Sequence, residues 1–175
     1  MTSILKVSEI QDPANGNSAL TVDSSGRAVR SKVPAWFFIV GDGHAATTSL
    51  VADPVIFNQK ILDDDGAGGT MSDGNNIKIP KSGVYWIAYG GIKGSSTSTV
   101  GRMNMVKVSG TGDDIFVQCR GDDTVSYAQM AGSFVKYLYA DAVYKMVTYN
   151  NGMWNGGSAA TAGFNDPYWT GYLVG

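Results

Sequence analysis

Apolar and aromatic residues in this chain gather into short runs bounded by Gly, Pro, Asn and Asp, which is how β-strands are punctuated. The densest run is Gly83-Val84-Tyr85-Trp86-Ile87-Ala88-Tyr89-Gly90-Gly91, entered through Ile77-Lys78-Ile79-Pro80-Lys81-Ser82. Side chains on a strand point alternately to two faces, so Tyr85, Ile87 and Tyr89 share one face and Val84, Trp86 and Ala88 the other. Both sets are apolar or aromatic, whereas a strand with one wet face carries polar residues at every second position. Trp36-Phe37-Phe38-Ile39-Val40 is apolar on both faces in the same way, and Tyr168-Trp169-Thr170-Gly171-Tyr172-Leu173-Val174 makes a last aromatic strand. The pattern predicts that something covers the second face of these strands.

Between them the chain reads as further strands. Residues 55–62 read as one strand, and residues 100–108 alternate as a strand with one solvated face. Residues 115–120 return after the turn Ser109-Gly110-Thr111-Gly112-Asp113-Asp114. Tyr127, Met130, Phe134 and Leu138 have a helical spacing, but Gly132 and the run Phe134-Val135-Lys136-Tyr137-Leu138-Tyr139 favour strand. Asp141-Ala142 turns the chain into residues 143–149, and Asn150-Asn151-Gly152 and Asn155-Gly156-Gly157 are turn chemistry. About eight to ten short strands at even spacing, with no convincing helix, predict an all-β, antiparallel sandwich or jelly roll.

Residues 1–33 are different in character. Ile4, Leu5, Val7 and Ile10 supply apolar anchors, Asp12-Pro13-Ala14-Asn15-Gly16-Asn17 is a turn cluster, and Ala19-Leu20-Thr21-Val22 is a short strand. That is too little apolar surface for a core, so ordering this segment has to be offset by burial against something else. The expected division is an extended docking arm, 1–33, followed by a globular domain, 34–175. Two strand-like pieces with hydrophobic teeth suit addition to a partner's sheet edge.

Composition narrows the function. Charged residues make up 16% of the chain and Gly 23 of 175 positions, which suits short strands joined by tight turns. A net charge of −2 has the wrong sign and size for binding nucleic acid by phosphate neutralisation. Cys119 is the only cysteine, so there is no intrachain disulfide and no cysteine-based metal site; it reads as a small strand residue. No signal peptide or membrane-spanning run is visible, so the expectation is a chain made in a host cytoplasm and not inserted into a membrane. Gly41-Asp42-Gly43-His44-Ala45-Ala46 matches Gly-x-Gly-x-x-Ala after a strand, but Pro54 follows too soon for the helix a dinucleotide site needs. The acidic loop from Asp63 to Asp65 fails the calcium-loop spacing, with Ala67 fifth and Gly74 twelfth, and reads as a solvated loop. His44 is the only histidine, and the carboxylates at 63–65, 113–114 and 122–123 sit in turn-like positions. No catalytic residue and no cofactor is expected.

Several stretches together resemble the complement 1q/tumour necrosis factor superfamily. Pro34-Ala35-Trp36 resembles that family's Pro-Ala-Phe entry strand, and Val55-Ile56-Phe57-Asn58 its second block. Residues 77–89 are similar to its signature of Phe, Pro, then Gly-x-Tyr-x-Phe-x-Tyr, with Ile77 and Ile87 where Phe is usual. Ala140-Asp141-Ala142-Val143-Tyr144 resembles the Gly-Asp-x-Val-Trp block, and Trp169-Thr170-Gly171-Tyr172-Leu173-Val174 the terminal Phe-x-Gly-x-Leu-Leu. The resemblance covers residues 34–175 and implies a ten-stranded jelly-roll head that forms homotrimers. Its entry, central and terminal strands would lie in the sheet around the threefold axis. Trp36, Phe38, Tyr85, Ile87, Tyr89, Trp169, Tyr172 and Leu173 are then expected in the core or the trimer interface. The collagen-like stalk and secretion signal of animal members are missing.

Residues 3–29 look like an N-terminal segment of tailed-bacteriophage virion proteins, which attaches a surface module to the particle. The resemblance implies that Ile4, Leu5, Val7, Ile10, Leu20 and Val22 dock onto a major capsid protein or a tail protein. The expected function is therefore a non-enzymatic capsid decoration or cement protein on the virion surface. The alternative is a receptor-binding tip of a tail fibre or appendage, in which Tyr149 and Trp154 would stack on host surface glycans. Against that, Trp154 also suits a loop residue folded back on the sandwich.

Overall fold

The computed structural model describes residues 9–11, 18–22, 25, 28–30, 33–40, 53–93, 102–113, 115–120, 129–149, 153–154 and 167–174. The chain divides into two compact units, Met1–Val33 and Pro34–Gly175. Every regular element among the described residues is a β-strand.

In the first unit β1 (Glu9–Gln11), β2 (Ser18–Val22) and β3 (Ala28–Arg30) form an antiparallel sheet in the order β1-β2-β3. Ile10 lies opposite Leu20, and Leu20 opposite Arg30. The segment is thus not one extended strand. Strands this close in sequence satisfy one another's backbone groups at little cost in loop-closure entropy.

The second unit is a sandwich of two antiparallel sheets. One contains β7 (Ser72–Asp73), β8 (Asn76–Lys78), β10 (Arg102–Ser109), β11 (Ile115–Arg120) and β13 (Val143–Tyr149). Its order is β11-β10-β13-β8-β7, with β5 (Asp53–Pro54) also paired to β13. The other contains β4 (Ala35–Ile39), β6 (Gln59–Asp64), β9 (Gly83–Lys93), β12 (Gln129–Leu138) and β15 (Tyr168–Leu173). Its order is β12-β9-β15-β4-β6, with β14 (Met153–Trp154) paired to the end of β9. The entry, central and terminal strands are therefore neighbours, although they come from opposite ends of the unit's sequence.

One boundary differs from the sequence expectation. Residues 55–62 are not a single strand: β5 belongs to one sheet, β6 to the other, and residues 55–58 cross between them. The crossing still alternates, with Val55 and Phe57 buried and Ile56 exposed, and the Val55 N–H donates to the Met146 carbonyl. Strands that switch sheets make the corners of such sandwiches.

The core is filled from both sheets by alternate residues. Trp36, Phe38, Tyr85, Ile87, Tyr89 and Trp169 face Ile77, Met103, Met105, Tyr144 and Met146. Trp36 and Trp169 meet edge-on at 5.8 Å, Phe38 and Trp169 at 6.2 Å, an arrangement aromatic quadrupoles favour. Gly171 makes room for this packing, because a Cβ there would run into the Trp36 ring and lie 2.8 Å from the Trp86 carbonyl oxygen.

One end of the sandwich is tied by hydrogen bonds between loops. Ile79 and Asp141–Ala142 exchange backbone bonds, the Ala140 N–H donates to Ser82 Oγ, and the Tyr85 hydroxyl donates to the Lys81 carbonyl at 2.7 Å. Burial pushes the Tyr85 phenol up to about 12.

Candidate self-association face

The face of the β12-β9-β15-β4-β6 sheet that points away from the core is built by strand register. Reading across the strands, Val135, Trp86, Tyr172 and Ala35 form one row. Ser133, Ala88, Thr170, Phe37 and Leu62 form the next, and Ala131, Gly90, Tyr168 and Ile39 a third. Tyr137 and Val84 extend the surface beyond the first row. Trp86 and Tyr172 lean on each other with ring centroids 5.5 Å apart. Among these residues none is charged; the nearest carboxylate in register is Asp64, opposite Ala35 at the β6 edge, and it accepts the Gly66 N–H at 2.8 Å.

Much of this face is open. Val135 is 61% exposed, Tyr137 49%, and Tyr172 and Leu62 45% each. Contiguous apolar surface of this kind marks an interaction site in a soluble protein. Deep in the rows, Ala88 is nearly covered, and Phe37, Ile39, Trp86 and Tyr168 are half-buried.

The residues expected in core or interface separate cleanly. Trp36, Phe38, Tyr85, Ile87, Tyr89, Trp169 and Leu173 lie on the core side, and Tyr172 alone of that set lies on the open side. The sequence reading did not single out Phe37, Leu62, Val135 or Tyr137. Phe37 was legible, since alternation places it opposite in sense to Trp36 and Phe38. Leu62 was not, because a register irregularity between Phe37 and Phe38 sets its facing.

Other sequence candidates do not converge on a chemical site. Asp63 accepts the N–H groups of Met71 and Ser72 at 2.7 and 2.9 Å, and Asp65 those of Ala67 and Gly69 at 2.7 and 2.8 Å. These carboxylates close their own loop, and the Ala67 and Gly69 bonds hold the Asp65 carboxyl below its ordinary range. Among the described residues no cluster of His, Cys, Asp and Glu is placed to hold a metal ion. Asp113 pairs with Lys136, which lowers its carboxyl too. Ile10, Leu20 and Val22 lie in β1 and β2, Cys119 in β11, Tyr149 at the end of β13 and Trp154 in β14. Their side chains lie outside what the structure describes, as do Ile4, Leu5, Val7 and His44 altogether.

No protein-family model matches the chain, and no curated protein matches it in sequence. Solved structures do match. The globular domain of zebrafish complement 1qA protein is 16% identical, with a TM-score of 0.54 over 82% of this chain and 98% of that one. Murine APRIL at pH 8.0 is 11% identical, with a TM-score of 0.57 over 82% of this chain and all of the other. The Eiger TNF of S. frugiperda is 10% identical, with a TM-score of 0.59 over 82% and 94%. The fold is therefore the complement 1q/tumour necrosis factor-like jelly roll, as the sequence resemblance implied.

Proposed function

We propose that this chain is a non-enzymatic structural protein that assembles as a homotrimer on the surface of a tailed-phage virion. There it acts as a capsid decoration or cement protein, with residues 1–33 docking onto the particle. The observation that carries the self-association reading is the uncharged, partly exposed aromatic face of the β12-β9-β15-β4-β6 sheet. Obligate interfaces bury upwards of about 2,000 Å². At ~25 cal/mol per Å² of apolar area, the gross gain is tens of kcal/mol, enough to outweigh the cost of association.

The virion part of the reading is supported by the likeness of residues 3–29 to phage attachment segments and by the separation of Met1–Val33 as a unit of its own. Among the described residues the outer edges of β1 and β3 have no strand paired to them, so each can extend a partner's sheet. Imaging intact particles and counting copies tests this. Many copies spread over the shell, with capsids that break at lower temperature when the protein is absent, support a cement role. A handful of copies confined to the tail moves the protein to the tail-tip reading.

A further inference from the structure

The first unit has two strand edges that nothing among the described residues pairs with, the outer edge of β1 and the outer edge of β3. Both strands are antiparallel to β2, so they run in the same direction with β2 between them. The two edges differ in charge. From residue 27 to the end of the unit the charged residues are Arg27, Arg30 and Lys32, all cations. β1 carries Glu9, and Asp12 follows the strand at once; Lys6, the one cation on that side, lies outside it. Met1–Val33 is also shorter than the roughly 40 residues below which a fold usually needs a disulfide, a metal or association. It contains no Cys for a disulfide and no Cys or His for a structural zinc site, which leaves association.

We propose that β3 of each copy pairs with β1 of the next, so that the three arms join edge to edge into one closed sheet. The inference rests on the self-association reading above, which supplies the three copies, and adds a second contact outside the jelly roll. Edges three residues long make few hydrogen bonds, so they pair only where something else already holds the copies at high effective concentration. A threefold arrangement with strands along its axis sets β3 beside β1 of the next copy in the same direction, a parallel ladder. Opposite charges then meet at each seam. Two-fold pairing sets β3 on β3 or β1 on β1 instead, with like charges opposite each other, which is destabilising. Unlike edges make a heterologous contact, the kind that closes into a ring. The particle then meets the three arms as one body.

Oxidative cross-linking of the full chain tests it, with Cys119→Ala in every variant so that only introduced thiols react. Ile10→Cys or Gln11→Cys marks β1, and Ala28→Cys or Val29→Cys marks β3, in all four pairings, since neighbouring positions face opposite sides. Within one chain β1 and β3 lie two strand spacings apart, about 10 Å, beyond the roughly 7 Å Cα separation that a disulfide spans. Any bridge therefore joins two copies. The expected result is covalent dimers and trimers, and nothing larger, when both strands carry a cysteine, and a single-chain band when either does alone. Arg30→Glu in the doubly marked chain is expected to cut bridging severalfold, and Glu9→Arg added to it to restore bridging. Equal bridging in singly and doubly marked chains would overturn the ring, because arms that merely collide give that result. Dimers from β3 cysteines alone, or bands beyond the trimer, would overturn it as well. So would a β3 cysteine that bridges to a particle protein and never to a second copy. No bridge in any pairing, in a chain that still sediments at three times its own mass, would overturn the ring and leave the self-association reading intact. A parent that sediments as one chain would overturn both.

Discussion

On one face of the β12-β9-β15-β4-β6 sheet, Tyr85, Ile87, Tyr89 and Trp169 are completely buried; on the other, one residue along each strand, Val135 and Tyr172 stand about half in water. Composition does not separate the faces, since both are mainly aromatic and aliphatic, with charges on the flanking strands: Lys136 and Asp63 on the core side, Asp64 on the other. Cover separates them. The core face has Met103, Met105, Tyr144 and Met146 of the opposite sheet packed onto it, while nothing among the described residues packs onto the outer rows. A sheet made this way has its core face covered within its own chain and a second apolar surface left open.

The largest effect that can break this comparison comes from moving a charge between the faces. Ile87→Asp places an unpaired carboxylate in the core and is expected to abolish folding, at a cost of several kcal/mol or more. Val135→Asp, on the open side of the same sheet, is expected to leave a folded chain that no longer self-associates. Circular dichroism and sedimentation read the two outcomes separately. If Val135→Asp also unfolds the chain, the outer rows are core rather than interface.

Gly171→Ala tests the core side alone. The added methyl meets both the Trp36 ring and backbone, and overpacking of this kind costs roughly 1–3 kcal/mol. A denaturant midpoint equal to that of the parent would show that Trp36 does not lie where the core packing requires.

A smaller effect is expected at alkaline pH. Burial raises the Tyr85 phenol from its ordinary 10.0 to about 12, so the folded state holds that proton more tightly than the unfolded one. Its contribution is complete below pH 10 and is lost as pH rises through about 12. Tyr144 adds to the same limb, its phenol raised by burial first and then by Asp113 and Tyr139. Stability is expected to fall over this window, and less steeply in Tyr85→Phe; an unchanged slope in that variant would remove Tyr85 as a cause.

The smallest expected effect is that of salt. With Asp64 at the β6 edge the one charge in register with the outer rows, raising ionic strength from about 0.1 to about 1 M, which shortens the screening length from about 10 to 3 Å, should leave association unweakened. A marked loss of assembly would mean that ion pairs rather than the aromatic rows hold the copies together.

Much of this was legible in the sequence because the informative feature, apolar residues at consecutive strand positions, is local. Runs 36–40, 83–91 and 168–174 all became strands of one sheet, and their two-sided greasiness announced that both faces needed cover. Which face was core could not be read, because that depends on where β10 and β13 lie in space, not on alternation. A shallow hollow on the open face was also invisible: it is lined by Ala88 of β9, Ala131 and Ser133 of β12 and Thr170 of β15, residues brought together only by long-range register. In residues 1–33 the strand over 19–22 was foreseen, but neither β3 nor the pairing of these strands with each other, since a strand's own sequence does not say which edge it will find.

Sedimentation equilibrium of the purified chain across the micromolar range asks most directly whether the second apolar face is an interface. A single species at three times the 18.5 kDa chain mass, unchanged on dilution, is the predicted result. A well-folded species at the mass of one chain, with Tyr172 and Trp86 open to solvent, would contradict it.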